Sequence, residues 1–301
     1  MDSGTLNLLD ILTERVQTLV DDGQWEEAYR AADAAVEKAR RSLNGHDESS
    51  VLSLISSLEI KGDLLRQMGH LEDARLVYLE AMEELSALES SSEMMARLNA
   101  SVGVIYDLAE NDEEAIRFYE RAVALHERQE FPNLLEIADI TNNLGYIYRS
   151  LGDYDKAETL FLKALEICHN EVGDKHEKTA TIFNNLGALY LKTGYDEQAY
   201  EMHRMALEIR LELFGKDHTE TAQSYANLAL ALARMSQIKQ SLECFDTAIH
   251  IYEHHLRQEP EEYAAVVDNY VEYLNAYGYF KEAEHARKRA DKKLSKLKIA
   301  V

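Results

Sequence analysis

The sequence predicts an all-α protein built from one pair of helices repeated along the chain, and three observations carry that expectation. Only 2 Pro and 13 Gly punctuate 301 residues rich in Ala, Leu and Glu, so long helices meet few breakers. Stepping from Ala157, small residues recur at Ala28, Ala74, Ala115, Ala199, Ser241 and Ala283. A second small residue follows each of the seven by seven positions, at Ala35, Ala81, Ala122, Ala164, Ala206, Ala248 and Ala290. Finally, "NNLGYIYRSLGDYDKAETLFLKALEI" from Asn142 returns as "NNLGALYLKTGYDEQAYEMHRMALEI" from Asn184, 42 residues on.

Seven residues are two helical turns, so each pair of small positions lies on one face of a helix and admits a neighbouring backbone closely. Seven units follow, near 6–43, 48–88, 92–128, 134–171, 177–213, 219–256 and 261–298, read together as one continuous domain over 1–301. In the first, Gly23 ends one helix and Trp25 opens the next. The second has Gly69 and Leu71 in those places, and Gly62 twelve residues before its anchor. The third has Gly103 at that small position. The fourth and fifth repeat it at Gly145 and Gly187, within stripes Leu144/Tyr148 and Leu186/Tyr190, and place C-cap glycines at Gly152 and Gly194. The sixth substitutes Ala229 and opens its second helix with Ile238. The seventh ends its first helix at Gly278. Four residues after the anchors stand Ala32, Tyr78, Tyr119, Phe161, His203 and Phe245, but in the last unit Arg287; Asp291 likewise replaces an apolar residue. The final helix therefore reads as a basic, polar cap that stops the stacking.

Leu144, Gly145, Tyr148, Ala157, Phe161 and Ala164, in that order, resemble the tetratricopeptide repeat, and the resemblance spans essentially the whole chain. The 42-residue period and the connectors "EVGDKHEKTA" and "LFGKDHTETA" are similar to the kinesin-light-chain type of that repeat. The resemblance implies a right-handed superhelical solenoid of about seven hairpins whose first helices line a concave groove for an extended peptide.

The candidate groove residues repeat with the period. Asn143, Asn185, Asn227 and Asn269 recur at steps of 42, with Asn142 and Asn184 doubling two of them. An amide side chain offers a donor and an acceptor, which is what gripping an extended main chain requires; in the family an Asn at this place does that. The alternative, that these amides bridge adjacent hairpins, stays open. Arg97, Arg149, Lys192 and Arg234 add positive charge and Tyr146 an aromatic surface, together fitting an acidic segment with an apolar anchor. Those cations could equally pair with the chain's own carboxylates.

The formal charge of −23 disfavours nucleic acid and anionic membrane surfaces as partners. Only the stretch from Lys281 reverses it, with eight basic residues against three acidic, or +5 against −28 elsewhere. Cys168 and Cys244 form no CxxC, and no leader or membrane span is legible, so a cytoplasmic protein is expected. Phosphate-cradling and nucleophile motifs are lacking. His250 and His254, four apart, read as surface histidines rather than a metal pair, and His176 and His218 as a helix-entry feature shared by two connectors. No cofactor, metal or catalytic residue is expected. The favoured reading is a non-enzymatic scaffold; a self-assembling homo-oligomer and a peptide-sensing regulator are the alternatives.

Overall fold

The computed structural model describes residues 3–43, 47–88 and 92–299, and the described residues contain helices and no strand. The helices are α1 (Ser3–Asp21), α2 (Trp25–Arg41), α3 (Glu48–Gln67), α4 (Leu71–Leu85), α5 (Ser92–Leu108), α6 (Asp112–Glu127) and α7 (Leu134–Ser150). There follow α8 (Tyr154–Val172), α9 (Glu177–Thr193), α10 (Asp196–Phe214), α11 (Thr219–Arg234), α12 (Ile238–His254), α13 (Pro260–Ala276) and α14 (Phe280–Ile299). This is the all-α superhelical repeat fold class that the period implies. None of the described helices is long and apolar enough to cross a membrane.

One backbone turn joins the members of each hairpin. The amide of Gln24 donates to the Leu19 carbonyl five residues back, and the same bond recurs from His70, Asn111, Asp153, Tyr195, Gln237 and Tyr279. The carbonyl of each of those residues then accepts from the small anchor four residues on, from Ala28 through Ala283, so a single residue closes one helix and opens the next. The bond requires left-handed backbone at the residue before it. Gly194 supplies that conformation at φ +83°. Glu110 (φ +56°) and Ser236 (φ +58°) adopt it without being glycine, at the two units whose turns lack one.

The chain groups into two compact units, 1–147 and 148–301, with the division inside α7, where the sequence reads as one uninterrupted domain. In a repeat array each pair of helices touches only its neighbours, so compact units can arise without a linker. In the first unit, Val16 and Leu19 of α1 cover Ala28 and Ala32 of α2. Val36, Val51, Ile55, Tyr78, Leu85, Leu98, Val102 and Phe118 continue that core through α2 to α6. In the second, Phe183 and Ile209 pack α9 on α10, Leu207 meets Leu228 and Leu232, and Phe245, Ile251, Tyr252, Tyr263 and Val267 fill the space between α11, α12 and α13.

The small positions twelve residues before the anchors prove to be seats for rings. A Cβ on Gly62 would lie 2.7 Å from the Tyr78 ring, one on Gly103 2.6 Å from Tyr119, and one on Gly187 2.5 Å from His203. The second, third and fifth hairpins thus close by laying a buried ring of the second helix on bare backbone of the first. The two related connectors are built alike: His176 Nδ1 accepts from the Lys178 amide and His218 Nδ1 from that of Glu220, both at 3.2 Å. Thr179 and Thr221 hydroxyls donate back to the Gly173 and Gly215 carbonyls. At the end of the second unit Arg287 pairs with Asp268, at the position where Tyr78, Tyr119, Phe161, His203 and Phe245 are buried in earlier repeats.

Candidate functional site

The asparagines divide by burial. Asn184 does not face a groove: it is 7% exposed, its Nδ2 donates to Ser224 Oγ at 3.3 Å, and its Oδ1 lies 3.1 Å from His203 Nδ1. Expected as a peptide contact, it is instead spent inside the fold. Adjacent helical residues point about 100° apart, so of the pair Asn184 and Asn185 one turns into the α9, α10 and α11 packing. The network continues, because Arg210, 3% exposed, donates to Ser224 Oγ, Gln223 Oε1 and the Glu220 carbonyl and pairs with the Glu220 carboxylate at 2.6 Å. These partners and its burial hold the Asn184 amide inside the packing. Buried polar atoms need them, since an unmatched one costs about 1–3 kcal/mol.

In the first unit Asn143 is half-buried, with its Nδ2 at 3.5 Å from the Tyr119 hydroxyl. Arg97 donates twice to Glu59, at 2.9 and 3.1 Å. That guanidinium offsets a carboxylate whose pKa burial pushes up, with Arg97 beside it only partly compensating. It is therefore self-paired, as the open alternative had it. Tyr146 is 47% exposed. Asn142, Tyr146, Arg149 and Asn185 all have interactions within the chain.

The second unit holds an open groove of about 850 Å³ between the first helices of three successive hairpins, α9, α11 and α13. Its walls are Ala188 and Leu191 of α9, Leu230 and Ala233 of α11, Tyr273 of α13, and Tyr277 just past the end of α13. The two tyrosine rings lie 4.7 Å apart, and the Tyr277 hydroxyl donates to the Ala233 carbonyl at 2.8 Å, which ties α13 to α11 at the floor. Lys192, Arg234 and Asn269 supply the polar edge. Asn227, half-buried on α11, makes no side-chain hydrogen bond among the described residues.

Charge in this groove is balanced. Asp196 and Glu272 face it with the two cations, and Arg234 Nε bonds Asp196 at 3.2 Å. Among the described residues Lys192 makes no ion pair, so it is the cation available to a ligand. Such an arrangement can accept a carboxylate at Lys192, lay apolar surface on Leu191, Leu230 and Tyr277, and bond main-chain amides through Asn227 and Asn269. Sequence reasoning did not identify Tyr273, Tyr277, Asp196 or Glu272. Their signal is the register, since Glu272 and Tyr273 follow Asn269 by three and four residues and share its helical face. His250 and His254 are exposed with Nε2 atoms 3.3 Å apart, and among the described residues no group of three or more candidate ligands surrounds a metal position.

Family models described as tetratricopeptide repeat match residues 136–212 and 195–254, and another matches 100–132, together half of the chain. Among solved structures, BtubC (BKLC) from P. vanneervenii is similar at a TM-score of 0.68 and 26% identity, over 77% of this chain and 92% of that one. The Rap conjugation gene regulator of the plasmid pLS20, solved in complex with the Phr* peptide, has a TM-score of 0.59 at 16% identity, over 98% and 96% of the two chains. A Podosopora anserina putative kinesin light chain with nearly identical TPR-like repeats scores 0.55 at 16% identity, over 68% and 96%. No curated protein matches the sequence.

Proposed function

Since the chain belongs to the tetratricopeptide-repeat family, we propose that it is a non-enzymatic interaction scaffold whose second unit holds an extended peptide segment of a partner protein. The carrying observation is the α9–α11–α13 groove, where a lysine without an ion pair among the described residues, the uncommitted Asn269 and an apolar floor converge, with Asn227 about one turn before Leu230 on α11. Its balanced charge refines the expected acidic ligand: one carboxylate opposite Lys192 is matched, whereas a run of acids would meet Asp196 and Glu272. A peptide held in the similar Rap regulator supports this use of the fold. The free thiols Cys168 and Cys244 suit a reducing, cytoplasmic setting.

Selection of a random peptide display library on the intact chain tests the reading, run beside a Lys192→Ala/Asn227→Ala/Asn269→Ala variant of verified helicity. Enrichment on the unaltered protein alone is expected. Equal enrichment on both, or none on either, would remove the groove as the binding site.

A further inference from the structure

The opposite side of α13 carries a second surface, and it shares no residue with the groove. Here α12, α13 and α14 enclose a cleft of about 370 Å³ floored by Ile249, Tyr263, Val267 and Tyr270. Lys281, Glu282, His285 and Arg289 line it from α14, and Asp246 from α12. Beside it, sharing His285 and Arg289, is a recess of about 450 Å³ whose remaining lining is Lys288, Lys292, Lys293 and Lys296. Spacings of three and four place these side chains in one stripe along α14. His285, Lys288, Lys292 and Lys296 are exposed.

Part of the stripe is already neutralised. Arg289 and Lys293 both reach Glu253, at 2.6 and 3.0 Å, and Lys288 pairs along its own helix with Glu284. Lys281, His285, Lys292 and Lys296 make no ion pair among the described residues. The cations therefore extend from the cleft toward the C-terminal half of α14, while the acids, Glu282 near the start of α14 and Asp246 of α12, stand at the cleft itself.

Charge selects the occupant. Outside this stretch the chain carries −28, so a long polyanion or an anionic membrane lying across α14 would meet repulsion beyond the roughly 8 Å over which salt screens it. A short segment can stay within the stripe. We propose that this surface docks a partner protein's short acidic segment, seating one aromatic or large aliphatic side chain in the cleft and aligning two carboxylates with Lys292 and Lys296. The anchor precedes the acids along the direction of α14, because Asp246 and Glu282 exclude carboxylates from the cleft itself.

The test uses the full chain and a fluorescein-labelled ten-residue probe with one Phe followed by four Glu, read by fluorescence polarisation. Saturable binding is expected, weakened about tenfold by Lys292→Glu/Lys296→Glu, a change at exposed positions, and by raising salt. Replacing the probe's Phe by Ser weakens it comparably. A Lys192→Ala/Asn269→Ala groove variant leaves it unchanged, which separates this surface from the proposed groove function. Absence of binding, loss in the groove variant alone, or equal affinity for a short DNA duplex would overturn the proposal. So would a salt-sensitive dimer in sedimentation that the double Glu variant abolishes, which would assign the stripe to a second copy.

Discussion

Replacing Ser236 by Gly should stabilise the second unit. Ser236 sits at φ +58°, with its amide bonded to the Ala233 carbonyl at 2.9 Å and the next amide bonded to Leu232 at 2.9 Å. Both bonds require the left-handed backbone, so the residue cannot relax without opening the turn. Holding a non-glycine residue there costs about 1–2 kcal/mol, against which glycine's larger unfolded-state entropy counts about 0.5–1 kcal/mol. The net gain is about 0.5–1 kcal/mol. For a unit of this size that corresponds to roughly 2–4 °C per kcal/mol in Tm. The reciprocal change, Gly194→Ser, should cost a similar amount, because a Cβ there meets no atom within 4 Å and the penalty is conformational alone. Urea unfolding followed by circular dichroism at 222 nm measures both. A Ser236→Gly protein no more stable than the parent, with Gly194→Ser unaffected, would refute the assignment of strain to these turns.

Three further outcomes follow from the packing. Gly187→Ala should destabilise by about 1–3 kcal/mol through overpacking, since the new Cβ falls 2.5 Å from His203; urea unfolding should show that combining it with His203→Ala recovers part of the loss. Burial holds His203 neutral, its pKa lowered from 6.5 to about 4. The unfolded chain then binds the extra proton, so this contribution is intact above pH 6.5 and is lost at about 1.4 kcal/mol per pH unit as pH falls toward 4. A His203→Phe variant should show a shallower decline in urea midpoint between pH 7 and 5. Arg210→Met should lower stability by about 1–3 kcal/mol, because it removes the guanidinium bonds to Gln223 and the buried Ser224 while Glu220 stays partly in water. Calorimetry of the purified variant gives the value, and a change below about 1 kcal/mol would show the network to be dispensable.

How much of this was legible before folding differs from residue to residue. Ala28 and Ala35, or Gly194 and Tyr195, announce a buried helical face and a turn because both depend on neighbours within two turns of the same chain segment. That local logic extends to His176 and His218, whose caps lie two residues away. It also located Lys192, Arg234 and Asn269 on the first helices. It did not reveal that Asn184 pairs with His203 and Ser224, 19 and 40 residues away, or that Arg97 is consumed by Glu59.

By itself, then, the sequence determined the helices, their turns and the stripe each buries, because a repeat of 41 to 46 residues imposes one local geometry seven times over. Only tertiary structure decided which amide turns inward, which cations keep their charge for a ligand and where Tyr273 and Tyr277 meet Leu230 and Ala233. Those outcomes depend on the approach of helices distant in sequence, where a rotation of one residue, about 100°, moves the same side chain from solvent into the core.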